Sequence, residues 1–191
     1  KFMKSDIQSM LTSLQSDAVK ALSESSSVNH FFDIQSLREK LTLSLMGSAE
    51  RHNLDAISEL FEHIQTETNL PDPIRDVLIR LYLPYIKVAL IDQDFFNNSQ
   101  HPARLLLELL HSSSIGWVYE DEQSGDGFLA HLSSLITDIL KNFREDISLF
   151  GGACRQFDKL IRDEATQTEI NERQVIDTMK AKESMRIAQL H

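Results

Sequence analysis

The chain has 191 residues, enough for one domain with a proper hydrophobic core, or one domain plus an appendage. Hydrophobic residues make up 41% and charged residues 25%, while only six glycines and four prolines argue against a turn-rich β architecture. With 29 acidic against 19 basic residues the formal charge is −10, which disfavours nucleic acid and anionic membrane surfaces as partners.

Residues 2–23 place Met3, Ile7, Met10, Leu11, Leu14, Ala18 and Leu22 at three- and four-residue spacings, predicting an amphipathic helix. The turn-forming run Ser23–Asn29 ends it. A second helix starts near Asp33, which can cap it, with Ser36 and Glu39 as an alternative capping box. Ile34, Leu37, Leu41 and Leu45 form its stripe and Gly47 its stop. The third runs from Ser48 to Gln65 on Leu54, Ile57, Leu60, Phe61 and Ile64. Pro73 suits the first turn of a fourth helix, whose period continues to Ile91. Pro84 lies inside that pattern and predicts a kink near Leu81 or a break into two helices. The following run, Tyr85–Ile91, is apolar nearly all round, as in a central buried helix.

Residues 92–100 read as a compact polar connection from which Phe95 and Phe96 plug the core. Pro102 starts a fifth helix, Ala103–His111, with five leucines, and Ser112–Gly127 reads as an acidic loop. The sixth, from Asp126 or Gly127 to Asp146, is the most regular, with one wide apolar stripe. Leu149, Phe150, Phe157, Leu160 and Ile161 predict a seventh, loosened near Gly151 and Gly152. Beyond Ala165 the chain stays helix-favouring but polar, with Ile170, Val175, Ile176, Met179, Met185 and Leu190 too irregular for clean heptads. The expected fold is all-α, an irregular bundle of six or seven helices with a long polar C-terminal helix. The expected divisions are an N-terminal helix and linker (1–30), a helical core domain (31–165) and a projecting C-terminal helical extension (166–191).

The central stretch carries LFEHI (60–64), LPDPI (70–74), LPYIKVALID (83–92), FF (95–96), HPAR (101–104) and IGW (115–117). In this order and spacing they resemble a bacterial family known as domain of unknown function 1631. The likeness runs from about Leu54 to Phe150; residues 1–50 carry little of it, and the charged run RQFDKLIRDEATQTEINERQ is similar but less diagnostic. The resemblance implies a long cytoplasmic parent protein and offers no catalytic residues to carry over. Members are sometimes labelled thymidine phosphorylase, but the chain has no glycine-rich phosphate loop or basic cluster of the kind nucleoside phosphorolysis needs.

Candidate chemistry concentrates around residues 87–117. His101 and Arg104 open a helix close to Asp92 and Asp94, which suits an anion held at a helix N-terminus. The competing reading is structural: His101 or Gln100 caps the helix and Arg104 pairs with Asp92 or Asp94. Glu108 and His111 share a helix face, as do Glu59 and His63, but no second Glu-x-x-His supplies the further ligands a di-metal bundle requires. Lys87 in an apolar helix is either a lysine of depressed pKa or, more commonly, one that snorkels out or pairs with a carboxylate such as Asp92. Cys154, the only cysteine, excludes an internal disulfide, fits a reducing compartment and reads as a small core residue. Trp117 and Tyr119 beside the acidic loop read as interaction anchors or, for Trp117, as closure of the bundle end.

A start at Lys1 and an end at His191 within a helical pattern are expected of a piece of a larger protein. Together these features point to a non-catalytic helical interaction or scaffold module of a bacterial cytoplasmic protein. It would bind a protein partner or self-associate through the C-terminal helix. The alternative is a regulatory domain binding a small anion or nucleotide near His101 and Arg104. No cofactor, metal or catalytic residue is expected, and an enzyme would need a cleft with at least two convergent titratable groups.

Overall fold

The computed structural model describes residues 4–24, 33–44, 47–117 and 127–190. Its elements in chain order are α1 (Lys4–Glu24), α2 (Ile34–Ser44), α3 (Ser48–Thr66) and α4 (Asp72–Leu78). A single 3₁₀ turn (Ile79–Leu81) leads into α5 (Tyr82–Ile91) and a short α6 (Asp94–Asn97). Then come α7 (Pro102–Ser114), α8 (Phe128–Asn142) and α9 (Ser148–Ala188). No strand occurs among the described residues, and none of their helices is long and apolar enough to cross a membrane. The fold is all-α. Met3, Leu45, Gly125 and Asp126 lie outside the described residues.

The contacts divide the chain into two compact units, Lys1–Cys154 and Arg155–His191. In the first, α5 is the central element: α3 and α1 pack on it, α2 packs on α3, and α8 packs on α1 and α4. Every residue from Tyr82 to Leu90 is buried, as the all-round apolar pattern requires. Pro84 does break the helix before it. It occupies the third position of α5, where an N–H would have no intrahelical acceptor, and the preceding turn tightens to 3₁₀ without leaving right-handed dihedrals.

Local chemistry explains the other boundaries. The Asp33 carboxylate accepts the Gln35 amide (3.2 Å) and the Ser36 hydroxyl (2.8 Å), so Asp33 starts α2 and Ser36 serves it. At the end of α7, Ile115 (φ −65°, ψ 127°) and Gly116 (φ 78°) form a type II turn closed by the Trp117 amide on the Ser114 carbonyl. Gly116 is the residue that tolerates that left-handed position. The expected loosening at Gly151 and Gly152 is absent: they are the fourth and fifth residues of one uninterrupted 41-residue helix. Two glycines cost only about 1 kcal/mol each, and no proline follows to stop the helix.

The core is stitched by aromatic rings centred on Tyr85. Its ring meets Phe61 of α3 (5.7 Å), Phe95 of α6 (6.1 Å) and Phe150 at the start of α9 (5.5 Å), all edge-on. The hydroxyl donates to the Ala103 carbonyl of α7 at 2.6 Å. Burial pushes the Tyr85 phenol well above its ordinary pKa, so it stays a donor. Next to it, the Tyr82 hydroxyl donates to Ser58 (2.6 Å), whose own proton goes to the Leu54 carbonyl (2.7 Å). Replacing Tyr85 by Phe removes only the hydroxyl and should cost about 1 kcal/mol in urea denaturation, whereas Tyr85→Ala should cost about 3–5 kcal/mol.

Candidate functional site

Asp92, the residue after α5, and His101, the residue before α7, meet across the short α6. The Asp92 Oδ1 accepts the Asp94 amide (3.0 Å), starting α6, and its Oδ2 lies 3.1 Å from His101 Nε2. On its other edge, His101 Nδ1 accepts the Ala103 amide at 3.1 Å and caps α7. An Nδ1 that accepts places the ring proton on Nε2, facing Asp92. The Asp94 amide, followed by the His101 hydrogen bond, holds the Asp92 carboxyl below its ordinary range. His101 is buried, and with both nitrogens engaged the pair acts as a fastener between two helix starts.

Arg104 is not part of that fastener. It pairs with neither Asp92 nor Asp94 and instead donates from Nη1 to the Phe96 carbonyl at the end of α6 (3.2 Å). The Asp92 carboxylate is already taken by the Asp94 amide and His101, while the third position of α7 aims Arg104 at the far side of α6. Asp94 contributes its amide and keeps an exposed carboxylate. The structure thus brings Asp92, His101 and the Asp94 backbone together and separates Arg104 from them.

Lys87 departs most from expectation. It is 1% exposed, and neither snorkels nor pairs with Asp92. Its ammonium donates to Thr12 and to Gln15 Oε1 (3.1 Å), both on α1, and lies 5.8 Å from the centre of the Phe143 ring. Gln15, itself fully buried, passes the polarity on: its Nε2 donates to the Leu140 and Phe143 carbonyls (3.2 and 3.3 Å). These belong to the last turn of α8 and to its C-cap residue, where carbonyls lack intrahelical partners and carry the negative end of the helix dipole. Lys87 therefore faces a helix C-terminus through Gln15 instead of a carboxylate. Burial, reinforced by the Arg144 charge, lowers its pKa from 10.5 to about 8.

The remaining candidates are dispersed. His63 and His111 both turn Nε2 towards Glu67 (3.6 and 3.9 Å) from α3 and α7. Among the described residues no group of three metal-ligating side chains is placed to hold an ion. Cys154 is half-buried, its thiol 3.7 Å from the Pro102 carbonyl. Trp117 is half-buried against Phe128, with ring centres 6.2 Å apart, while Tyr119 lies outside the described residues. Phe95 is buried as expected of a core plug, but Phe96 is 36% exposed and forms the mouth of a trough between α3, α6 and α7. Leu60, Arg104, Glu108 and His111 also line that trough.

Fold and geometry together define a class: an all-α domain whose buried polar groups bridge one helix to the end of another. The chain belongs to the family described as "Protein of unknown function (DUF1631) 2nd domain", whose model matches residues 1–146. That match includes residues 1–50, where the resemblance is faint by eye. No curated protein and no solved structure matches the chain.

Two measurements separate the fasteners from the bystander. His101→Ala should lower stability by about 1–2 kcal/mol, through the lost cap and hydrogen bond, and Arg104→Ala by less than about 0.5 kcal/mol, both read from urea midpoints. Lys87 gives a pH signature. Its proton is bound less tightly in the folded than in the unfolded chain, so its destabilising contribution is complete below pH 8 and is relieved as pH rises towards 10.5. The stability of the natural chain relative to Lys87→Met should therefore climb between those values, and a flat difference would contradict a depressed pKa.

Proposed function

We propose that the chain is a non-catalytic helical interaction module of a larger bacterial cytoplasmic protein, and that α9 beyond Ala165 is the surface on which two copies associate. The observation that carries the reading is exposure. Every residue from Ala165 to Leu190 is exposed, including Ile170, Val175, Ile176, Met179, Met185, Ile187 and Leu190, which are 43–76% accessible. A helix stretch of this length gains little from intrinsic propensity and most from covering an apolar face. Val175, Ile176, Met179, Ile187 and Leu190 recur at spacings that place them on one side.

Charge favours an antiparallel arrangement. Between residues 162 and 172 Asp163, Glu164, Glu169 and Glu172 outnumber Arg162. Between 173 and 186 Arg173, Lys180, Lys182 and Arg186 outnumber Asp177 and Glu183. An antiparallel partner centred on Met179 places Glu172 opposite Arg186 at both ends of the overlap. The engagement of His101, Asp92 and Lys87 in bridges between helices supports the non-catalytic part of the reading, because their polar atoms are committed to partners within the fold.

Light scattering tests it. The natural chain should run at twice its 21.8 kDa mass, and the double variant Ile176→Glu/Met179→Glu at 21.8 kDa with an unchanged circular dichroism spectrum. A natural chain that stays at 21.8 kDa at the highest workable concentration contradicts self-association.

A further inference from the structure

A trough between α3, α6 and α7 is lined wholly by residues of the first unit and holds about 450 Å³. That is within the range of small-molecule pockets, about 300–1,000 Å³. Ile57, Phe95 and Leu107 make a buried apolar floor, while Leu60 and Phe96 remain 37% and 36% exposed at the mouth. Apolar surface left open above an apolar floor favours a ligand that covers it.

The polar groups specify the ligand further. Arg104 lines the trough, and among the described residues no carboxylate lies within ion-pair distance of it. One N–H goes to the Phe96 carbonyl, leaving the rest of the guanidinium fork for an incoming anion. Glu108, one turn along α7, lines the same wall and would repel a second negative group. His63 and His111, which also line the trough, turn towards Glu67. A peptide helix is a poor fit, since with side chains it is about 10 Å across and two turns would exceed the trough.

We propose that this trough binds a free small amphipathic monocarboxylate, its hydrocarbon part on Leu60, Phe96 and Leu107 and its carboxylate on the Arg104 guanidinium. The site does not depend on self-association and is read separately from it.

Isothermal titration of the full chain with dodecanoate, below its micelle concentration, tests the proposal. Dodecyltrimethylammonium serves as a probe with the same chain and the opposite charge. Dodecanoate should bind saturably with one site per chain, and at least about tenfold more tightly than the ammonium, for one charge-assisted contact. Arg104→Gln should weaken dodecanoate about tenfold and leave the ammonium unchanged. Ala56→Trp, at a partly exposed lining position, should abolish binding of dodecanoate with the thermal melt retained. Absence of saturable binding overturns the proposal, as does an affinity that Arg104→Gln leaves unchanged. Binding that survives Ala56→Trp in a folded variant would place the amphiphile elsewhere and equally overturns it.

Discussion

The buried hydroxyl of Tyr85 is the constraint on which the first unit depends. A phenol removed from water must find an acceptor, and here the acceptor is the Ala103 carbonyl in the first turn of α7. That requirement fixes the distance between α5 and α7. The edges and faces of the same ring then determine where Phe61, Phe95 and Phe150 sit, and with them α3, α6 and the beginning of α9. The His101–Asp92 pair completes the geometry by holding the short α6 between the end of α5 and the start of α7. Six side chains thus position five helices.

A second polar centre serves the opposite side of α5. An α-helix that ends inside a protein leaves carbonyls without partners, and the end of α8 is supplied by a side chain from α1. The Lys87 ammonium orients that side chain by donating to its oxygen. A lysine without a carboxylate partner in a core is normally costly. Here the dipole of α8 and the face of Phe143 replace the missing negative charge in part. Burial and the Arg144 charge still hold the Lys87 pKa below the ordinary lysine value.

Helix type and most boundaries were legible because they rest on local signals: the apolar period, Asp33 as a cap, Pro73 and Pro102 in first turns, and Pro84 as a break. The engagement of His101 was one of two readings that spacing allowed. What was illegible depended on partners distant in sequence. Lys87 meets Thr12 and Gln15, more than seventy positions earlier, and no periodicity announces that pairing. Gln15 did leave a trace, standing four residues after Leu11 on the apolar side of α1, where a polar residue calls for a buried partner. Arg104 was placed with the aspartates by proximity along the chain, yet the turn of α6 intervenes and gives it a backbone carbonyl instead. The continuity of α9 was underestimated because glycine pairs punctuate loops in most contexts, whereas near a helix start they interrupt few hydrogen bonds.

The meeting of Trp117 and Phe128 has a consequence for how the chain tolerates change. Their rings hold the residues just after α7 beside the start of α8. Once two points of a chain are held by side-chain contact, lengthening the joining segment costs only about 0.6 kcal/mol per doubling. Added chain length between Trp117 and Phe128 should therefore cost the fold around Tyr85 little.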